Sequence, residues 1–164
     1  MKVTLIGFMG CGKSTVGELL SKKLNLPFID LDSLIVERTG REIPQIFKEL
    51  GEEGFREIER ELLREVLKRE GSLVLSVGGG APAYRDNIEV INKHSTSIFL
   101  NTPFESLWER IFKDKNRPLV KLGREGLKEL YLKRLPYYKR ANLEVECRDK
   151  SPEEIAEEII LKLS

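Results

Sequence analysis

The sequence predicts an α/β fold in three layers: a five-stranded parallel sheet with helices on both faces. Three observations carry this expectation. Five short strand-like segments alternate with helical runs along 164 residues, the order a parallel sheet with crossover helices produces. The first segment, Val3–Phe8, runs into a glycine-rich turn and then an amphipathic stretch. Leu73–Val77 is nearly unbroken apolar sequence, as a strand covered on both sides requires.

The elements follow in order. Val16, Leu19, Leu20 and Leu24 recur at helical spacing, and Asn25, Leu26 and Pro27 stop the run. Phe28–Leu31 predicts a second strand, and Ser33–Arg38 a short helix closed at Gly40. Glu42–Glu70 predicts a polar helix broken at Gly51 and Gly54, with Leu62, Leu63, Val66 and Leu67 as an apolar stripe near its end. Leu73–Val77 is the third strand, followed by Gly78–Gly80 and Pro82. A helix fits Asp86–Lys93, and Ser97–Leu100 a fourth strand. Thr102 and Pro103 then read as the N-cap and first-turn proline of a helix to Phe112. Residues 113–124 are basic and aperiodic, a loop. Helix resumes over Glu125–Arg140, where Pro136 should kink it or start a turn. Leu143–Cys147 is the fifth strand, and Ser151, Pro152 and Glu154 form a capping box for a last helix to Leu163. Nothing marks a second domain, so 1–164 reads as one.

Composition narrows the function classes. Lys and Arg number 28 against 27 Asp and Glu, a net charge of +1, so no global field points to nucleic acid and any anion site must be local. Charged residues make up 34%, above the usual quarter, which solvated helix faces account for. The two cysteines, Cys11 and Cys147, belong to no C-x-x-C pair, and one histidine completes no zinc site. Cys11 reads as a small filler rather than a redox switch. No signal peptide and no membrane span are evident, so a cytoplasmic location is expected, and a single small domain is most simply a monomer.

The chemistry begins at Gly7–Thr15, GFMGCGKST. Gly7, Gly12, Lys13 and Ser14 fill the pattern G-x-x-x-x-G-K-[ST] between a strand and a helix. Such a loop points backbone N–H groups of Gly10, Cys11, Gly12 and their neighbours through Thr15 at phosphate oxygens, and the helix N-terminus adds a positive dipole end. Lys13 can follow the charge of the β- and γ-phosphates, and the Ser14 hydroxyl can ligate Mg²⁺.

Three further constellations stand out. Asp30 and Asp32, two apart on a strand, would face the same side and lie near metal and transferred phosphate if their strand neighbours the first. A solvated turn, or an N-cap at Asp32, is the other reading of these acids. Gly78–Gly80 at a strand end admits a ligand close to the backbone, or is simply a flexible loop. Arg56, Arg117 and Arg134 are each, taken singly, surface charges. Arg117 lies in a basic segment that could close over phosphates as a lid. Asn92-Lys93-His94-Ser95 lacks the Asp of the guanine-reading N-K-x-D motif, and no D-x-x-G occurs, which argues against a GTPase switch.

Together these stretches resemble the shikimate kinases, a P-loop family of nucleoside-monophosphate-kinase-like fold. The resemblance rests on GFMGCGKST, FIDLD at Phe28–Asp32, GEEGFREIE at Gly51–Glu59, SVGGGAP at Ser76–Pro82, NRPLV at Asn116–Val120, RLPYYKRAN at Arg134–Asn142 and SPEEIAEEI at Ser151–Ile159. It implies transfer of the γ-phosphate of ATP to the 3-hydroxyl of shikimate, with Mg²⁺, on the route to chorismate and the aromatic amino acids. It implies that Asp32 binds the accepting hydroxyl, that Arg56 and Arg134 clamp the carboxylate, and that Gly78, Gly79 and Gly80 bind shikimate through the backbone. Phe47 and Phe55 would wall that pocket, unless they only pack the core. Lys13, Asp32 and Arg117 would be catalytic, Arg117 as the lid arginine over the ATP phosphates. Ser14, Asp30 and Asp32 would serve the metal. Arg110, Arg148 and Lys150 match the adenine-contacting positions. The acceptor-binding segment would span about 32–60 and the lid about 113–124. The chain departs from the family's R-x-P-L-Y by reading Arg134-Leu135-Pro136-Tyr137-Tyr138. A gluconate or nucleotide kinase of the same group, and a non-catalytic nucleotide-binding module, are the alternatives. The acceptor-site residues weigh against the module.

Overall fold

The computed structural model describes residues 1–113 and 122–164. Five strands, β1 (Lys2–Ile6), β2 (Phe28–Asp30), β3 (Leu73–Ser76), β4 (Thr96–Asn101) and β5 (Leu143–Glu146), form one parallel sheet in the order β2-β3-β1-β4-β5. The helices are α1 (Lys13–Leu24), α2 (Leu31–Thr39), α3 (Ile43–Lys68), α4 (Asn87–His94), α5 (Phe104–Lys113), α6 (Gly123–Tyr138) and α7 (Pro152–Leu163). Val3 to Ile6 and all of β3 are buried without alternation, so helices cover both faces of the sheet, the predicted three-layer arrangement.

Local chemistry explains the boundaries. Ser151 caps α7, accepting from the Glu154 N–H while the Glu154 side chain returns to the Ser151 N–H, the predicted capping box. Gly12 caps α1 in a left-handed conformation, φ 89°. Pro136 lies inside α6 without ending it.

The structure corrects three expectations. The second strand stops at Asp30, whose side chain caps α2 by accepting from the N–H groups of Asp32 and Ser33, so Asp32 lies in the first turn of a helix, not on a strand. Within α3, Gly51 leaves helical geometry at φ 73°, ψ 177°, whereas Gly54 stays helical. The break falls where a left-handed φ is needed, and glycine adopts that without a Cβ penalty. Thr102 does not cap α5 through its side chain: Oγ1 is buried with no hydrogen-bond partner among the described residues. The condition set for Asp30 and Asp32, that their strand neighbours the first, is not met, because β2 pairs with β3.

Register places the sheet's functional edge. Leu5 of β1 pairs with Ser76 of β3, which pairs with Asp30 of β2. These three residues form one rank at the carboxyl end of the strands, where ligands of such sheets bind. Gly17, midway along α1, permits a close approach to β2: a Cβ there would lie 2.4 Å from a ring carbon of Phe28.

Candidate active site

A cavity of about 340 Å³ opens above this edge. The glycine loop and the first turn of α1 form one wall. Asp30, Asp32 and the segment Ser76–Gly79 form the other. The Lys13 ammonium donates to the carbonyls of Gly7 at 2.7 Å and Phe8 at 3.2 Å, which holds its charge at the loop. Cys11 is buried beneath it, with Sγ 3.8 Å from the Lys13 Nζ. Ser14 Oγ donates to Asp30 Oδ2 at 2.8 Å. So Asp30 serves two partners, the Ser14 hydroxyl with one oxygen and the α2 N-terminus with the other.

Asp32 sits deeper. Burial, then the nearby Asp30 charge, pushes its carboxyl above the usual carboxylate range, while Lys13 and Arg56 oppose the shift. Gly78 packs beside it: a Cβ on Gly78 would lie 3.2 Å from Asp32 Oδ1 and 3.2 Å from Glu59 Oε2.

Two guanidinium groups meet at the third glycine. A Cβ on Gly80 would lie 2.2 Å from an Arg56 nitrogen and 2.9 Å from an Arg134 nitrogen. Arg56 comes from α3, where Glu59 one turn on accepts from it at 2.8 Å. Arg134 comes from α6, 8% exposed, with its guanidinium 5.7 Å from the centre of the Phe8 ring. Burial lowers its proton affinity, and Arg56 nearby adds to that. Two cations this close and this buried call for an anion between them. Phe47 and Phe55 stack at 4.7 Å across the Gly51 break. Phe55 is buried and lies 5.2 Å under the Arg56 guanidinium, while Phe47 is partly exposed.

A second cavity, about 290 Å³, is lined by Arg110, Arg148 and Lys150 among others. Arg110 donates to the Gly10 carbonyl at 2.9 Å, which ties this cavity to the phosphate loop. Lys150 pairs with Glu158 at 2.6 Å. Gly10, Gly12, Thr15 and Gly79 line the first cavity. Arg117, and most of the segment expected as a lid, lie outside the described residues.

The structure therefore brings the two arginines, the three glycines and Asp32 together opposite Lys13 and Ser14. Three contributors were not singled out in the sequence. Glu59 is buried, and its carboxyl is pushed up to about 7, mainly by burial, against the attraction of Arg56. Its signal was present, an acid three residues after Arg56 on one helical face. The Tyr138 hydroxyl donates to the Gly79 carbonyl at 2.5 Å. Gly17 carried the signal of a glycine inside a helical pattern.

The comparisons agree with this geometry. The family model for shikimate kinase matches residues 9–164. A shikimate kinase of Aquifex aeolicus is 42% identical over 99% of this chain and 96% of its own length. One from Sulfurihydrogenibium is 40% identical over 98% and 96%. The chain belongs to the shikimate kinase family. The solved shikimate kinase of Acinetobacter baumannii in complex with shikimate superposes with a TM-score of 0.92 at 35% identity, covering 99% of this chain and 92% of that one. For a shikimate kinase, an ATP-dependent enzyme of the transferase class, a cavity with the phosphate loop on one wall and Asp32 and the glycine segment on the other, with two arginines meeting at Gly80 beside it, is the arrangement the reaction needs.

Proposed function

We propose that the protein transfers the γ-phosphate of ATP to the 3-hydroxyl of shikimate, giving shikimate 3-phosphate and ADP on the route to chorismate. The observation that carries this is the meeting of Arg56 and Arg134 at Gly80, next in the chain to Gly78 and Gly79, which line one cavity with Asp32, Lys13 and Ser14. Arg56 and Arg134 clamp the carboxylate bidentately, with Glu59 holding the Arg56 fork in place. The backbone of Gly78–Gly80 and the ring pair Phe47–Phe55 seat the cyclohexene. Asp32 accepts a hydrogen bond from the attacking hydroxyl and orients it, its raised proton affinity suiting it to take the proton as the bond forms. Lys13 neutralises charge on the β- and γ-phosphates as the terminal group leaves. Gly10–Thr15 supply backbone N–H groups to the phosphates. Arg110, Arg148 and Lys150 hold the adenosine end, and Arg117 is the lid arginine of a segment at about 113–124. The acceptor-binding segment spans about 32–60 of a single domain, 1–164.

The residues present fit Mg²⁺. Ser14 and Asp30 offer hard oxygen donors 2.8 Å apart, with Asp32 on the same wall. No three His, Cys, Asp or Glu side chains among the described residues form a metal cage. That suits an ion held by one or two protein oxygens together with phosphates and water. Bound there, Mg²⁺ would supply charge neutralisation to the ATP phosphates. No helix of the described residues is long and apolar enough to cross a membrane, and the protein is proposed to work as a cytoplasmic monomer.

A coupled ADP-release assay with ATP and Mg²⁺ tests the reading, with shikimate, gluconate and AMP as separate acceptors. Release that depends on shikimate alone supports it. Release with gluconate or AMP instead, or none above background with ATP bound, overturns it.

A further inference from the structure

We infer that Tyr138 is a positioning residue for the acceptor: its hydroxyl fixes the Gly79–Gly80 peptide so that the Gly80 N–H is aimed away from the core, towards bound substrate. The inference rests on the reading of Gly78–Gly80 as the acceptor's backbone contact and goes beyond it by naming what sets that backbone.

Tyr138 is fully buried at the last turn of α6, its ring tilted on Phe99 at 5.2 Å between centres. From there its hydroxyl donates to the Gly79 carbonyl at 2.5 Å. Burial raises the phenol's proton affinity, so the group stays a donor. A buried phenol has few ways to satisfy its O–H, and a glycine carbonyl has no side chain to steady it. Each supplies what the other lacks.

The geometry of the peptide unit does the rest. It is trans, since no cis bond occurs among the described residues, so the N–H of Gly80 lies antiparallel to the Gly79 carbonyl. With that carbonyl anchored on the α6 side, the Gly80 N–H must face the opposite way. A hydrogen bond to the carbonyl also polarises the amide and strengthens its N–H as a donor. Arg134, one turn earlier on α6, sends its guanidinium to the same peptide. Both groups come from one rigid helix, so Tyr138 sets the glycine backbone in register with the carboxylate clamp. Three neighbouring glycines would otherwise sample many peptide orientations.

Steady-state kinetics of Tyr138→Phe test this, because the variant keeps the ring and deletes only the hydroxyl. The shikimate KM should rise about three- to tenfold, the range one net hydrogen bond commands, with the ATP KM unchanged. A shift of the Gly80 amide ¹⁵N resonance should accompany it. An unchanged shikimate KM, or an equal rise in both KM values, overturns the inference. Replacing Tyr138 by 3-fluorotyrosine gives a stronger donor of nearly the same size, and covers the case in which Tyr138→Phe does not fold. Tighter shikimate binding supports the role, and no change overturns it. Gly79→Ala separates the two layers of the argument. If Gly79→Ala leaves the shikimate KM unchanged, the glycine-loop reading itself falls. If it raises the KM while Tyr138→Phe does not, only the role of Tyr138 falls.

Discussion

Glu59 Oε1 accepts a 2.8 Å hydrogen bond from Arg56, while Oε2, equally buried, has no partner among the described residues. One oxygen is charge-paired and the other desolvated, and the second effect dominates, pushing the carboxyl up to about 7. The sign for stability follows. A carboxyl whose folded pKa lies above its unfolded value contributes stability in full below about 4.5, and loses it as pH rises through about 7. Glu59→Gln keeps an acceptor for Arg56 and does not ionise. Its Tm relative to wild type should therefore be more favourable at pH 8 than at pH 5. Thermal melts at both values check this, and a pH-independent difference would show that Glu59 does not titrate in this window.

Arg134→Ala should raise the shikimate KM by about two to three powers of ten, with little effect on ATP. Removing one partner of a buried charge-assisted contact costs about 2–5 kcal/mol. Arg134→Lys should restore little of this, since an ammonium cannot reproduce the fork. Initial rates across both substrates separate the outcomes, and an unchanged shikimate KM would remove Arg134 from the clamp.

Gly80→Ala should damage the same parameter by a different route. A methyl there would lie 2.2 Å from an Arg56 nitrogen, so the guanidinium must move off its site. The expected rise in shikimate KM is about tenfold or more, with the ATP KM near wild type, as for loss of a transition-state-neutral contact.

Lys13→Ala should cut kcat by at least about a hundredfold, since positioning and charge neutralisation carry phosphoryl transfer. Single-turnover measurements at saturating ATP distinguish this from weaker nucleotide binding. A kcat near wild type would sink the catalytic role.

Gly17→Val should destabilise the protein by about 1–3 kcal/mol through overpacking against the Phe28 ring. Phe28→Leu should recover part of the loss in the double variant. A denaturant-based mutant cycle measures the coupling, and additive effects would show that the two residues do not share this contact.

The sequence carried the fold well because its signals are local. Alternation of strands and helices, the capping box at Ser151 and the phosphate loop all follow from near neighbours. Asp30 and Asp32 were recognised as a pair, but their geometry was missed. Whether a strand ends at Asp30 or Leu31 turns on two capping hydrogen bonds to the Asp30 side chain, which periodicity does not report. Strand order escaped for a similar reason: the chain from β1 to β2 gives no hint that β3 will insert between them. Tyr138 touches Gly79 across 59 positions, and nothing short of the fold brings those residues together.

Sheet order also has a consequence for how the molecule is made. β1 has partners on both sides, and both lie far downstream, β3 starting at Leu73 and β4 at Thr96. A nascent chain that has just completed β1 therefore has nothing to pair it with, and must close a loop of some seventy residues before its first ladder forms. The strand that carries the phosphate loop is the first of the five described strands in chain order, yet its two neighbours, β3 and β4, are the third and fourth. The catalytic edge is thus complete only when strands far apart in sequence have joined β1 on both sides.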